Sequence, residues 1–302
     1  MDTLSVVLAT YNIDQYIEET IDSVLNQTYK NIELIIVDDA STDNTRQIIQ
    51  ERIKQDKRIL FFPLESNVGP GAARNIALSK SSGKYVTFID HDDWQDLDRY
   101  ENMIKLLGEN SSKVCFSYAQ SFNHNTGKTQ QIRSLKLPSG AYEYQKYKKI
   151  IAYTLFPPWS KVYCRKFLIE NNIKFAEGDV AFDDVLFHSH LYFLLDEFTV
   201  YASHSYTHRV FEGSITSKFY KADKLYKDYM ECFVQCLRNI DKKRINENKI
   251  ADYYYRLLRK QVINFDEISD ERVARLLKIQ FYKYKIKEGI VRRLSYLFGK
   301  LK

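Results

Sequence analysis

The strongest constraint on the fold is a series of short apolar segments, each stopping abruptly at a polar or acidic cluster, with amphipathic segments between them. Leu4 to Thr10 (LSVVLAT) is β-branched, too short for a helix, and ends at Tyr11-Asn12. Ile13, Ile17, Ile21, Val24 and Leu25 then recur at helical spacing, and a second apolar run, Ile32 to Val37, stops at Asp38-Asp39. The alternation continues with a helix from about Asp43 to Gln55, a strand near Ile59 to Phe62, a helix from about Gly71 to Ser81, and a strand from Tyr85 to Ile89. Strands alternating with helices predict an α/β fold around a doubly wound, Rossmann-like parallel sheet. Such sheets bind ligands at the carboxyl ends of their strands. Thr10-Tyr11-Asn12, Asp38-Asp39 and Asp90-His91-Asp92-Asp93 therefore converge on one edge.

After Trp94 the alternation weakens. Val114 to Ala119 reads as another strand, and the polar stretch Phe122 to Gly140 as a loop or hairpin. From about Lys221 the chain is rich in Tyr, Lys, Leu and Ile and free of Pro, which predicts helices. The expected organisation is a sheet domain over 1–217 and a helical, basic region over 218–302. The charge agrees with it: residues 251–302 hold 13 Lys/Arg against 6 Asp/Glu, a surplus of +7, while the rest of the chain sums to −1. A nearly neutral body argues against a nucleic-acid-binding protein. Ile290, Val291, Leu294, Leu297, Phe298 and Leu301 form an apolar stripe flanked by Arg292, Arg293, Lys300 and Lys302. That composition suits a helix lying on an anionic membrane surface, and equally a packing helix with a solvated basic edge.

Met1-Asp2-Thr3-Leu4 shows no basic segment followed by an apolar run, and no stretch reaches the ~18 uninterrupted apolar residues of a spanning helix. A cytoplasmic protein, at most peripheral at the inner face of the membrane, is expected. Cys115, Cys164, Cys232 and Cys236 are dispersed without metal-ligand spacing, as befits thiols in a reducing compartment.

Three clusters carry candidate chemistry. The carboxylates of Asp90, Asp92 and Asp93 emerge together behind a strand, where they repel unless a cation is present. A hard divalent ion, Mn²⁺ or Mg²⁺, bridging to a diphosphate would answer that repulsion, although the run taken alone is also an ordinary solvated turn. Asp38-Asp39 taken alone can simply begin the next helix, with Ser41, Thr42 or Asp43 as N-cap. Asn67 to Asn75 (NVGPGAARN) places a glycine turn at a helix start, where backbone N–H groups and Arg74 can meet an anion, but it has neither Rossmann nor P-loop spacing.

Together, SVVLATYN, VDDASTDNT, NVGPGAARNIAL and GKYVTFIDHDDW closely resemble family 2 glycosyltransferases of the GT-A fold. PPWSKVYCRKFL, FDDVLF and YTHRVFEGSIT resemble later segments of that family, so the resemblance reaches about two-thirds of the chain. It implies an inverting, metal-dependent transfer from a UDP-sugar to a saccharide or lipid-linked saccharide in bacterial surface-glycan assembly. Thr10, Tyr11 and Asp39 would hold uracil and ribose, Arg74 the nucleotide or donor, Asp90 the ribose, and Asp92, with Asp90, the metal. Asp184 would be the general base. Asp183 stands where the family usually has Glu, which leaves the choice within the pair open, and His91 stands where it usually has a small residue, lining the donor pocket or facing solvent. Trp159, Lys161 and Asp93 would lie on the acceptor side, and His208 and Arg209 near the diphosphate or metal. Two other readings are a sugar-phosphate nucleotidyltransferase, disfavoured by the missing Gly-rich signature with its lysine, and an inactive sugar-nucleotide-binding subunit, disfavoured by the retained acids.

Overall fold

The computed structural model describes residues 2–110, 112–132, 136–147, 157–178 and 183–211. The expected domain boundary, the helical C-terminal region and its amphipathic stripe lie outside the described residues, as do Cys232 and Cys236. Among the described residues, no helix is long and apolar enough to cross a membrane.

The N-terminal alternation folds as its pattern demands. Strand β1 (Leu4–Thr10) leads to α1 (Ile17–Leu25), β2 (Ile32–Asp38), α2 (Thr45–Gln55), β3 (Ile59–Pro63), α3 (Pro70–Lys80) and β4 (Tyr85–Ile89). Helix α1 buries Ile17, Ile21, Val24 and Leu25 along one stripe and carries Glu18 and Glu19 in its first turn, where the helix dipole favours anions. No side chain caps α2 at its N-cap residue Asn44, but Asp43 accepts the Thr45 N–H at 3.0 Å from just outside it. Ser41 donates to Asp38 instead.

β1, β2, β3 and β4 are parallel, in the order β3-β2-β1-β4. Beyond β4 come β5 (Trp94–Gln95), α4 (Arg99–Glu109), β6 (Val114–Asn123), β7 (Lys128–Gln131) and β8 (Gly140–Glu143). A 3₁₀ turn, Pro158–Ser160, then precedes β9 (Lys161–Cys164), α5 (Arg165–Glu170), α6 (Asp183–Leu194) and β10 (Glu197–Val210). The sheet continues β4-β9-β6-β10-β5, with β9 antiparallel to both β4 and β6. The expected doubly wound α/β sheet is present, parallel over β1 to β4 and mixed beyond them, where β9 lies antiparallel between β4 and β6. The stretch open to a loop or a hairpin contains the antiparallel β6–β7 hairpin.

Both faces of β1 are buried, as an interior parallel strand requires. Leu4, Val6 and Leu8 join α1, Ile49 of α2, and Tyr100, Met103, Ile104 and Leu107 of α4 in one core. On the other face α3 packs on β1 and β2. An aromatic cluster of Phe88, Tyr163, Phe175 and Phe187, with ring centroids 4.4–5.8 Å apart, seats α6. Of the described cysteines, Cys115 is buried and Cys164 half-buried, both as free thiols.

Arg99 is fully buried without a carboxylate partner. It donates to Gln95 Oε1 (3.0 Å), Ser117 Oγ (3.0 Å) and the Trp159 carbonyl (2.8 Å), joining α4, β6 and the 3₁₀ turn. Arg99→Met removes three donors at once from buried acceptors. Hydrogen bonds from charged groups contribute about 1.5–3 kcal/mol each, not additively, so urea unfolding should show a loss of roughly 2–4 kcal/mol.

Candidate active site

The carboxyl ends of β1 and β2 are welded together by Asp38. One of its oxygens accepts Thr10 Oγ1 (3.1 Å) and Ser41 Oγ (2.5 Å), and the other the Ser41 N–H (3.0 Å) and Arg46 Nε (2.5 Å). With all four lone-pair positions engaged, buried Asp38 is a structural acid. Asp39, also buried, points the other way. Its oxygens accept the N–H groups of Val68 (2.7 Å) and Gly69 (2.9 Å), and its carbonyl accepts Asn67 Nδ2 (3.1 Å). Gly69 has φ +88°, a conformation a side chain strains, so glycine and Asp39 together set the loop that opens α3. Each Asp39 oxygen keeps one lone-pair direction for a ligand donor. Tyr11, 45% exposed, stands at the rim as a flat surface for a base.

Arg74, one turn into α3, bridges two parts of the edge. Its Nη2 donates to Asp90 Oδ1 at 2.8 Å and its Nη1 to Asp183 Oδ2 at 2.5 Å, while its guanidinium lies 5.5 Å from the Phe175 ring centroid. Burial opposes its charge, but Asp183 and Asp90 overcome that and raise its pKa further.

The three aspartates after β4 have three different surroundings. Asp90 faces Arg74. Asp93 turns inward, fully buried, and accepts the Tyr206 hydroxyl (2.7 Å), the Arg209 N–H (2.8 Å) and His208 Nδ1 (3.2 Å). Burial pushes the Asp93 pKa up to about 6 despite His208. Burial lowers the His208 pKa, but the hydrogen bond and charge of Asp93, joined by Asp90 and Asp92, raise it to about 9. The Asp92 carboxylate takes no hydrogen bond from another described residue. Burial raises its pKa, His91 relieves this and Asp90 adds to it. Half-buried His91 leaves its carbonyl, like that of Asp93, against Thr20 Oγ1.

No group of three or more His, Cys, Asp or Glu side chains among the described residues could by itself hold a metal ion. A hard divalent cation needs less from the protein when a diphosphate supplies oxygens, and the unpartnered, desolvated Asp92 carboxylate fits such a site.

Across the edge, α6 begins with the acidic pair. Asp183 is engaged by Arg74, whereas the Asp184 carboxylate takes no hydrogen bond from another described residue. Burial, then the Asp183 charge, push the Asp184 pKa up to about 7 against the pull of Arg74 and Lys161. One turn further on, buried His188 presents Nε2 at 3.3 Å to both Lys161 Nζ and the Tyr163 hydroxyl.

Several expected site residues lie elsewhere than on a ligand-facing surface. Lys161, expected beside the acceptor, is fully buried; it donates to the Pro157 carbonyl (2.7 Å) and Ser160 Oγ (3.1 Å), and burial holds its pKa well below the usual range. Asp93 is likewise internal. Trp159 is 6% exposed and stacks face to face on Tyr206, with centroids 4.2 Å apart and planes 5° apart, and on His208. Arg209, expected near the diphosphate, is clamped between the Tyr16 and Trp94 rings, donates from Nε to the Asp92 carbonyl (2.8 Å) and pairs with Glu19. His208, with a side chain 29% exposed, still borders the edge.

Tyr206 was not singled out as a site residue by the sequence. Its hydroxyl accepts the Asp90 N–H (3.2 Å) as well as donating to Asp93, which fixes the acidic turn at both ends. The available signal was its period-2 spacing with His208 on one strand.

The family Glycosyl transferase family 2 matches residues 5–170. The glycosyltransferase GlyA of Streptococcus pneumoniae serotype 4 is 32% identical over 71% of this chain and 32% of its own length. A 42% identical stretch covering 39% of this chain and 46% of the relative links it to the UDP-Glc:alpha-D-GlcNAc-diphosphoundecaprenol beta-1,3-glucosyltransferase WfaP of Escherichia coli. The chain thus spans less than half the length of these two relatives. The crystal structure of Staphylococcus aureus TarS 1–349 in complex with UDP-GlcNAc superposes with a TM-score of 0.73 at 26% identity, covering 89% of this chain and 77% of that one. That likeness extends the GT-A fold over the mixed sheet.

The His208–Asp93 contact makes stability depend on pH. A histidine raised from 6.5 to about 9 contributes stability in full below pH 6.5 and loses it as pH rises through about 9. Asp93, raised from 3.8 to about 6, acts in the same sense but at lower pH, its contribution being lost as pH rises through about 6, below that window. Thermal melts between pH 6.5 and 9 should fall more steeply for the wild type than for His208→Gln; parallel slopes would show that the pair carries no charge-dependent stability.

Proposed function

Because the chain belongs to glycosyl transferase family 2, we propose that it is an inverting glycosyltransferase that moves a hexose or N-acetylhexosamine from a UDP-sugar to a hydroxyl of a saccharide or lipid-linked saccharide in bacterial surface-polysaccharide assembly. The observation that carries this reading is the placing of Asp184, a carboxylate without a hydrogen bond among the described residues and with its pKa pushed up to about 7, opposite the acidic turn at the end of β4. A general base works best when its pKa lies near the operating pH.

In the proposed step the acceptor oxygen attacks the anomeric carbon as its proton passes to Asp184. The bond from that carbon to the UDP oxygen breaks with inversion, and UDP leaves with the electron pair. Within the acidic pair the geometry favours Asp184 as the base, since Asp183 is bound to Arg74. Tyr11 would stack on uracil, Asp39 would accept from the nucleoside, and the start of α3 with Arg74 would face the diphosphate. Asp92, with Asp90 beside it, would hold Mn²⁺ or Mg²⁺, which when bound neutralises charge developing on the leaving group. The printed names of WfaP and of the TarS complex, with UDP-Glc and UDP-GlcNAc, support a UDP-linked donor.

A screen of UDP-Glc, UDP-GlcNAc and UDP-galactose for UDP release in Mn²⁺ tests the activity. Asp184→Asn should cut turnover by about 10²–10⁴ with UDP affinity unchanged. Near-normal turnover of that variant beside a dead Asp183→Asn would move the base to Asp183. The wild-type rate should rise about tenfold per pH unit below pH 7 and level off above it, because only ionised Asp184 accepts the proton. Calorimetry should show UDP affinity falling on chelation and in Asp92→Asn; affinity indifferent to both would remove the metal from the scheme.

A further inference from the structure

The last residue of the NVGPGAARN motif, Asn75, has no part in the scheme above, yet it is tied to the segment that carries the acidic pair. Gly71, Arg74 and Asn75 fall at i, i+3 and i+4 of α3 and share one face. Against that face runs the extended segment 173–178. Asn75 Oδ1 accepts the Phe175 N–H at 2.9 Å, and Asn75 Nδ2 donates to the Phe175 carbonyl at 3.0 Å and to Glu177 Oε1 at 2.8 Å. One side-chain amide thus pairs with both backbone groups of a single residue, as a neighbouring strand would.

The contact passes directly to the acidic pair. The Ala176 N–H donates to the Asp183 carbonyl at 2.9 Å. A Cβ at Gly71 would come within 1.9 Å of the Ala176 oxygen and 2.9 Å of Asp183 Cβ, so helix, segment and the start of α6 meet without spare room. Arg74 holds Asp183 by its side chain from the same helix face. Only an amide satisfies the Asn75 position: a carboxylate would set an anion against the Phe175 carbonyl and Glu177, and an apolar side chain would leave both backbone groups of Phe175 without partners.

We propose that Asn75 is a positioning residue for the transfer step: it fixes segment 175–177 on α3 and thereby sets where Asp184 stands relative to the donor, while touching neither substrate. The proposal rests on the assignment of Asp184 as the base. Misplacing a reacting group by about 1 Å can cost about 10² in rate, so the effect falls on turnover and spares nucleotide binding.

The test uses the full chain with UDP-GlcNAc or UDP-Glc and Mn²⁺, followed by UDP release, with UDP affinity from calorimetry and thermal melts on the same samples. Asn75→Asp, and Asn75→Ser as a second variant should the first fail to fold, are expected to lower kcat by about 10–10². Donor KM and UDP Kd should stay within about twofold of wild type, a split that simple loosening of the fold would not produce. Unchanged kcat, or a kcat loss matched by an equal loss of UDP affinity, overturns the positioning role. Asp184→Asn measured alongside separates the two claims. Normal turnover by Asp184→Asn refutes the base assignment, whereas an inactive Asp184→Asn beside an unimpaired Asn75→Asp refutes only the positioning role.

Discussion

The bridge from Asp90 through Arg74 to Asp183 is the contact on which the candidate site depends. Asp90 follows β4 and Asp183 opens α6, and the two are far apart in sequence; a single guanidinium within reach of both ties the acidic turn to the start of α6. The three side chains are mostly withdrawn from solvent, with exposures of 15%, 15% and 27% for Arg74, Asp183 and Asp90, so each charge needs the others. Removing one partner of a desolvated set leaves an uncompensated charge and costs more than the set gains over an apolar replacement. The bridge also leaves Asp184 as the member of the acidic pair whose carboxylate takes no hydrogen bond from another described residue.

Adjacent residues of one type separate by direction alone. Asp90, Asp92 and Asp93 share a turn, yet one joins an ion pair, one is left without a partner, and one is internal. Asp38 and Asp39 divide likewise, one locking the ends of two strands and the other holding the loop before α3. In each case neighbouring carboxylates with the same chemistry are given different structural partners.

Strands β1 to β4 and their helices were legible because each is an apolar run of one period bounded by a polar stop. The resemblance of the same stretches to a known family carried the acidic turn, and that of the later segment FDDVLF the acidic pair. The place of β9 was not legible: four residues after a proline turn carry no signal for which strands they will separate. The resemblance carried Lys161 and Arg209 as candidate site residues, and nothing local reveals that Lys161 is buried beside His188 of α6 or that Arg209 is enclosed by Tyr16 and Trp94. Asn75 was visible within its motif, but its partner Phe175 is supplied by chain a hundred residues away.

Among the described residues β9 alone joins the parallel strands to the remainder of the sheet, and it does so late in the chain. As the polypeptide leaves the ribosome, β4, five apolar or β-rich residues all buried in the finished protein, is paired on the β1 side only until Lys161–Cys164 has been made. At about 5–20 residues per second that interval lasts several seconds, during which an open apolar edge is a template for association with other chains. Shielding that edge during synthesis is thus a demand that the strand order places on the nascent chain rather than on the finished protein.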